Sequence, residues 1–221
     1  SINRSRRDLN KTKKYKKIKA VYDNLVYARG DFRYPPPVLM LKDESGYVAS
    51  IDYSDNTITM ELKAYEVCEE YGNIGFAYLL SHELTHFYEK HAWKRGFASD
   101  NADMKIGKVL KETQDGVAFE TEADYLGGFL AYSAGYGLFD KGDEIISKLY
   151  SKYNLDDALK GYPIKSDRIE LTKRSAKKLQ NLVDLFEFAN YSYAIGNFSE
   201  AYKYYQHILK QYQSRELHNN L

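Results

Sequence analysis

Apolar residues recur every three to four positions along most of the chain, as they do on a helix face that packs against a core. This pattern predicts helices over residues 8–28, 63–71, 74–91, 100–113, 117–130 and from Ser166 onward. Gly30 is expected to end the first helix, Trp93–Ala98 to form a connection, and Ser166 to cap the helix that follows it. The chain is therefore predicted to be mainly helical.

Three short runs of apolar and β-branched residues predict strands between the first two helices. They are Val38–Leu41, Tyr47–Asp52 and Thr57–Leu62. Because polar, turn-like residues separate them, we expect a small antiparallel sheet and an α+β fold. The last strand comes shortly before the helix at 74–91, and it is a candidate edge to which an extended peptide can add. An ordinary hairpin strand is an equally good interpretation.

The helix predicted at 74–91 carries two histidines, His82 and His86, four residues apart. Residues at this spacing lie on one helix face, so both imidazoles can share a metal ion. Glu83 lies about 100° around the helix from His82, where a carboxylate can take a proton from a metal-bound water. His-Glu-x-x-His is the arrangement of zinc peptidases. Two ordinary helical histidines and a surface glutamate are the alternative, and a third ligand would decide between the two interpretations.

The helix predicted at 117–130 offers such a ligand. Glu120 and Asp124 are four residues apart and share a face, which suits one carboxylate that binds the ion and another that supports a ligand. We predict Glu120 as the third zinc ligand and Asp124 as the acceptor of the free ring N–H of His82. Glu122 points about 160° away from Asp124 and is the weaker candidate. A solvated acidic face is the alternative, but the apolar residues around the pair favour burial.

Together, His82-Glu83-Leu84-Thr85-His86 and Glu120-x-x-Ala123-Asp124 resemble the motifs of the gluzincin metallopeptidases, the family of HtpX, the CAAX prenyl proteases and the periplasmic BepA proteins. The resemblance spans roughly residues 20–175 and implies a mostly helical zincin-type peptidase domain. His91 also matches, since members often carry a histidine five residues after the second ligand. We predict that His91 packs or forms hydrogen bonds rather than binding the metal.

A third segment extends the resemblance. Tyr162-Pro163-Ile164-Lys165-Ser166-Asp167-Arg168-Ile169 is similar to the family's His-Pro-x-x-Ser-x-x-Arg-Ile, shortened by one residue. Tyr162 replaces the usual histidine, so its phenol is a candidate to stabilise the oxyanion of the reaction. Arg168 is the other candidate, and an ion pair with a buried acid is an equally good interpretation of it. The membrane spans of HtpX and the CAAX enzymes have no counterpart here, so the resemblance is closer to soluble members such as BepA.

These motifs predict a zinc-dependent endopeptidase that hydrolyses peptide bonds of protein substrates. One Zn²⁺ per chain, held by His82, His86 and Glu120, would leave a fourth position for water, as catalytic zinc sites do. Glu83 would act as the general base. The analogy with BepA implies misfolded or unassembled envelope proteins as substrates. A structural zinc site fits poorly, because Cys68 is the sole cysteine.

The end of the chain resembles a tetratricopeptide repeat. Tyr193–Leu209 has a glycine at the turn, an aromatic residue two positions later and Ala201 where helices pack closely, as in the second half of such a repeat. The helix from about Leu182 would be the first half, and Arg215–Leu221 would open the next repeat. Since several repeats are usually needed to bury their faces, the natural protein is expected to continue.

We therefore predict a peptidase domain over residues 1–178 and a repeat segment over 179–221 that binds protein partners. A competing function follows from this division. The peptidase fold could serve as a scaffold for a chaperone or assembly factor, with the repeats binding proteins and with or without catalysis.

Composition bears on the binding partners and the location of the protein. The net charge of +1 gives no electrostatic argument for nucleic acid, and no apolar run approaches the roughly 18 residues of a membrane span. Nine Lys or Arg residues within positions 1–19 stand against the single acid Asp8, which indicates a solvated helix face in preference to a patch for an anionic surface. The sequence starts without Met, so a signal peptide or anchor could have been removed. The BepA analogy favours export to the periplasm, with the cytoplasm as the alternative.

Overall fold

The computed structural model describes residues 8–43, 46, 48–100, 103–104, 116–155 and 164–221. The strands are β1 (Val38–Lys42), β2 (Ala49–Asp52) and β3 (Thr57–Glu61). The helices are α1 (Lys13–Arg29), α2 (Leu62–Glu69), α3 (Asn73–Tyr88), α4 (His91–Asp100), α5 (Gly116–Ala131), α6 (Gly142–Lys152), α7 (Lys165–Ala194), α8 (Phe198–Leu209) and α9 (Arg215–Asn219). This mostly helical chain with one small sheet agrees with the predicted α+β class.

The sheet differs from the antiparallel one expected. Its strand order is β1-β3-β2; β3 pairs in parallel with β1 and antiparallel with β2. β1 and β2 do not pair as a hairpin, because β3 lies between them in the sheet. The prediction of β3 as an edge was therefore wrong. All five residues of β3 are buried, and β2 is an edge strand.

Helix boundaries follow the apolar pattern except where helices meet. Gly30 ends α1 in a left-handed conformation with a φ of 63°, as predicted. The connection predicted at Trp93–Ala98 is wrong: Lys90, with a φ of 55°, makes the break after α3, and α4 begins at once at His91. Ser166 does not cap α7, because the Arg168 backbone N–H already bonds the Ile164 carbonyl, so the helix begins at Lys165 with Ile164 at the cap position. Most of the helix predicted at 100–113 lies outside the described residues.

The buried helix α3 lies at the centre of the core. Its apolar side chains are fully buried where α3 packs along α5, and α5 packs in turn along α7. Gly127 of α5 allows a close approach, since a Cβ atom there would lie only 3.0 Å from backbone atoms of Ser81 and His82. This contact brings the acidic face of α5 against the histidine face of α3.

The C-terminal helices pack as a hairpin on the rest of the chain. The 30-residue α7 runs unbroken through the predicted boundary at 178/179, and Gly196, with a φ of 80°, makes the turn into α8. The Tyr205 hydroxyl of α8 donates a hydrogen bond to the Asn190 side chain of α7 over 2.7 Å. The division into domains and the repeat identity of this hairpin stay predictions. No helix in the described ranges is both long and apolar enough to cross a bilayer.

Candidate metal centre

Three potential ligand atoms converge where α3 meets α5. The Nε2 atoms of His82 and His86 are 3.0 Å apart, and the Glu120 carboxylate lies 3.4 Å from each of them. Tetrahedral zinc with bonds of about 2.0–2.1 Å separates its ligand atoms by roughly 3.3 Å, so these distances suit such an ion. Among the described residues this is the set of His, Cys, Asp and Glu side chains that can hold a metal ion. Cys68 lies buried outside it.

A buried carboxylate orients His82. The Nδ1 atom of His82 lies 2.9 Å from Asp124, which also receives two hydrogen bonds from Arg168, of 2.6 and 2.8 Å. Burial alone would raise the pKa of Asp124, but Arg168 and His82 lower it to about 2. Because the ionised Asp124 can only accept, His82 donates from Nδ1 and turns the lone pair of Nε2 towards Glu120.

A second chain of contacts orients His86. Its Nδ1 atom lies 2.7 Å from Nδ1 of His91, whose Nε2 atom lies 3.1 Å from the Glu122 carboxylate. Burial lowers the pKa of His91, and the hydrogen bond from His91 lowers the pKa of Glu122. The carboxylate accepts from Nε2–H of neutral His91, so the Nδ1 atom of His91 accepts from His86. The Nε2 atom of His86 therefore also carries a lone pair.

When both histidines are neutral, Nε2 of His82, Nε2 of His86 and the Glu120 carboxylate therefore all point lone pairs at one another, and none of them carries a hydrogen. Such a set needs a positive charge, and two imidazoles with one carboxylate are ligands that zinc prefers. A proton can occupy the same place. Burial disfavours the imidazolium form of His82, yet the Asp124 and Glu120 carboxylates raise the pKa of His82 to about 10. The residues present thus fit a divalent metal ion, which would compete with this proton.

The cluster opens into a cleft of about 710 Å³. Glu83 lines the cleft and is largely buried, one residue along α3 from His82. The edge strand β2 forms another wall. Tyr53, just after β2, donates its hydroxyl to the backbone carbonyl of His86 over 3.1 Å, and burial together with Glu83 raises the pKa of Tyr53 to about 12. Glu83, which is not one of the three potential ligands, therefore lines the same cleft as they do.

The two candidates for oxyanion stabilisation have different outcomes. Tyr162 lies outside the described residues. Arg168 forms the ion pair with buried Asp124 that was its alternative interpretation, while its side chain also lines the cleft. Its role towards an oxyanion stays a prediction.

Two further features were missed by sequence reasoning. Tyr150 of α6 lines the cleft and interacts electrostatically with Arg168 and Glu120, and burial raises its pKa. The contact of Glu122 with His91 joins residues of different helices. No motif marks either feature, and only the match of His91 to the family pattern hinted at the second.

The chain thus assembles the three predicted ligand residues, the carboxylate behind one of them and a neighbouring Glu83 around one cleft. Comparisons with protein-family models, with curated proteins and with solved structures gave no match to this chain. What these side chains do must therefore be inferred from their geometry and chemistry.

Proposed function

We propose that this chain is a zinc-dependent endopeptidase that cleaves protein substrates. The observation that carries the proposal is the convergence of His82, His86 and Glu120 at 3.0–3.4 Å beside an open cleft that Glu83 also lines. Three protein ligands with a carboxylate nearby are the donor set of catalytic zinc sites, whereas structural sites use four protein ligands.

The roles of the chain's own residues follow from their positions. Bound zinc would supply Lewis acidity, which makes a water more acidic and polarises a carbonyl group. Glu83 would take the proton of the attacking water and pass it to the leaving amine. Asp124 holds the ring of His82 in the orientation that binding requires, and Arg168 keeps Asp124 ionised.

An extended peptide segment is the substrate form that fits the cleft best. The edge strand β2 lines it, so a peptide could pair along β2 as a further strand and pass the cluster. The peptide-binding edge proposed from the sequence is thereby moved from β3 to β2. Because only unfolded or flexible segments can adopt this form, we propose unfolded proteins as substrates. Their origin in the cell envelope stays a prediction of the family resemblance.

Replacement of Glu83 by Gln tests the proposal most simply. Glu83→Gln preserves size and polarity but removes the base, so we expect bound zinc to be retained and cleavage of an unfolded protein to fall by a factor on the order of 10² to 10⁴. Glu170→Gln is the matched control, because the Glu170 side chain is 70% exposed on α7. Zinc content and the cleavage rate are measured on both variants and on the unaltered chain.

Loss of cleavage with zinc retained in Glu83→Gln, and normal cleavage in Glu170→Gln, supports the proposal. Full cleavage by Glu83→Gln removes Glu83 from the base role, and a zinc-loaded unaltered chain that cleaves no unfolded protein contradicts the peptidase.

A binding function is the second candidate, favoured by exposed aromatic side chains on the C-terminal hairpin. Phe188 and Tyr191 of α7 and Phe198 of α8 are 60%, 65% and 60% exposed. Exposed aromatic residues in one region are common in surfaces that bind proteins. This hairpin would then capture substrates or partners, alone or in support of cleavage.

A further inference from the structure

We propose that His91 and Glu122 are positioning residues that hold His86 in the orientation needed to bind zinc. The inference rests on the zinc site of the proposed function, though not on its peptidase activity. It assigns a role to a buried histidine that no ligand requirement explains, and it makes the two histidine ligands unequal in how they are held.

The hydrogen bonds of His91 set the direction of the lone pair of His86. Nε2 of His91 lies 3.1 Å from the Glu122 carboxylate, and Nδ1 of His91 lies 2.7 Å from Nδ1 of His86. An ionised carboxylate can only accept, so neutral His91 donates to Glu122 from Nε2 and accepts from His86 at Nδ1. Both contacts fix which nitrogen of each ring carries the hydrogen. The free electron pair of His86 can then only be on Nε2, the atom that faces His82 and Glu120.

Packing holds the His91 ring in place. His91 is 1% exposed and stacks on Phe119 with ring centroids 4.5 Å apart and an interplanar angle of 27°. The Arg95 guanidinium lies 5.4 Å from the centre of the Phe119 ring. A ring packed in this way can transmit a fixed orientation to its neighbour, which an exposed histidine could not.

The two candidate histidine ligands lie at different depths within α3. His82 lies well inside the helix and is backed by Asp124, a buried carboxylate. His86 lies in the last turn of α3, which ends at Tyr88, and its Nδ1 atom contacts no carboxylate but His91. His91 thus connects Glu122 to His86, the ligand that lies nearer the end of α3 than His82 does.

His91 is not a fourth ligand in this arrangement. The metal-binding set among the described residues comprises His82, His86 and Glu120. Both ring nitrogens of His91 already have partners, and the one nearest the site faces Nδ1 of His86 rather than its Nε2. Its effect on zinc is therefore expected to pass through His86.

Zinc affinity of the purified chain, measured by competition with a chromogenic chelator, tests the inference. His91→Phe keeps a ring to stack on Phe119 but removes the acceptor, and we expect zinc affinity to fall about 10- to 100-fold. His91→Asn retains an acceptor near the place of Nδ1 and should restore most of the affinity. His207→Phe is the control, because His207 is exposed on α8. Unchanged affinity in His91→Phe overturns the inference.

A second variant keeps the test decisive if His91→Phe does not fold. Glu122→Ala removes the carboxylate that contacts His91. The Glu122 side chain is 29% exposed, so we expect a smaller loss of zinc affinity than in His91→Phe. Glu170→Ala, which removes an equal charge from α7, controls for the change in net charge. Affinity as high in Glu122→Ala as in Glu170→Ala contradicts the proposed chain of contacts.

The side chain of His86 gives an independent readout. In ¹⁵N nuclear magnetic resonance of the zinc-loaded chain, we expect His86 to carry its hydrogen on Nδ1 and to bind zinc through Nε2. Zinc bound through Nδ1 of His86 overturns the inference even if cleavage is normal. Conversely, tight zinc binding that depends on His91 in a chain without peptidase activity contradicts the proposed function alone.

Discussion

The side chains of the cluster are held by partners that set the direction of each lone pair. Asp124 sets that of His82, and the His91–Glu122 contact sets that of His86. Three acceptors within 3.4 Å of one another are unfavourable unless a metal ion or a proton lies between them, because their negative charges repel and burial weakens solvation. Buried polar groups arranged in this way are typical of functional sites.

Arg168 permits a prediction about stability that separates its structural role from any catalytic one. Its guanidinium makes two hydrogen bonds to Asp124, and both side chains are more than nine-tenths buried. Arg168→Leu leaves the Asp124 charge buried without this partner, so we expect the free energy of unfolding of the metal-free chain to fall by about 3–5 kcal/mol. Chemical denaturation measures the change.

The double variant Asp124→Asn with Arg168→Leu is the matched control for that measurement. It removes both charges, so it should recover part of the stability lost in Arg168→Leu. An Arg168→Leu chain as stable as the unaltered one would mean that the ion pair contributes nothing, and oxyanion stabilisation would become the better explanation of Arg168.

For individual residues, the spacing within each motif predicted which side chains of one helix lie together. Contacts between side chains of different helices could not be predicted from the sequence. Four-residue spacing in a helix is fixed by its geometry, so His82 with His86 and Glu120 with Asp124 could be paired from the sequence. The partner of His91 could not, because Glu122 was set aside on its angle within α5 alone. The angle of Glu122 around α5 shows only which side of that helix it lies on, and its partner His91 belongs to α4.

Among the elements, the contact of α3 with α5 determines the site because it sets the distance between the histidine and carboxylate faces. Gly127 lies at this contact and faces the backbone of Ser81 and His82. Close packing of two helices at a glycine tolerates no added atom unless one helix moves, and the ligands of the two helices would move apart with it.

Gly127→Ala is therefore expected to lower both stability and zinc affinity. The new methyl group would meet backbone atoms at 3.0 Å, so α5 must shift, at a cost of about 1–3 kcal/mol in the free energy of unfolding. Gly96→Ala in α4 is the control: nothing lies within 4 Å of its Cβ position, and alanine favours the helix. Thermal unfolding and zinc titration of both variants check the expectation, which fails if Gly127→Ala behaves like Gly96→Ala.

Elements were predicted well where local patterns decide and poorly where pairing decides. The apolar residues of α1, α3 and α5 are visible in the sequence because each helix buries them; α1 buries one face, whereas α3 is buried on nearly all sides. The partner of a strand is not visible in the sequence. β1 pairs in parallel with β3, and no local sequence pattern marks this pairing. The break between α3 and α4 was missed because Lys90, rather than glycine, takes the left-handed conformation.

For the whole molecule, the proposed function divides cleavage and substrate capture between the cleft and the C-terminal hairpin. The candidate metal-binding residues lie on α3 and α5, while the exposed aromatic residues lie on α7 and α8. If the hairpin captures unfolded proteins, its surface should matter for long substrates and not for short peptides that occupy the cleft alone.

Replacing Phe188, Tyr191 and Phe198 together by Ser tests this division. These side chains are mostly exposed, so we expect little loss of stability, unchanged cleavage of a short peptide and a raised KM for an unfolded protein. A triple replacement of the exposed residues Lys177, Lys203 and Gln206 by Ser serves as the control. Equal KM values for the unfolded protein in both variants would show that the aromatic residues take no part in capture.

The measurement that tests the central claim most directly is a crystal structure of the zinc-loaded chain with anomalous diffraction at the zinc edge. We predict one zinc ion bound by Nε2 of His82, Nε2 of His86 and a carboxylate oxygen of Glu120, at distances of about 2.0–2.2 Å. Zinc bound elsewhere, or a cluster in which Glu120 stays away from the ion, would contradict the account.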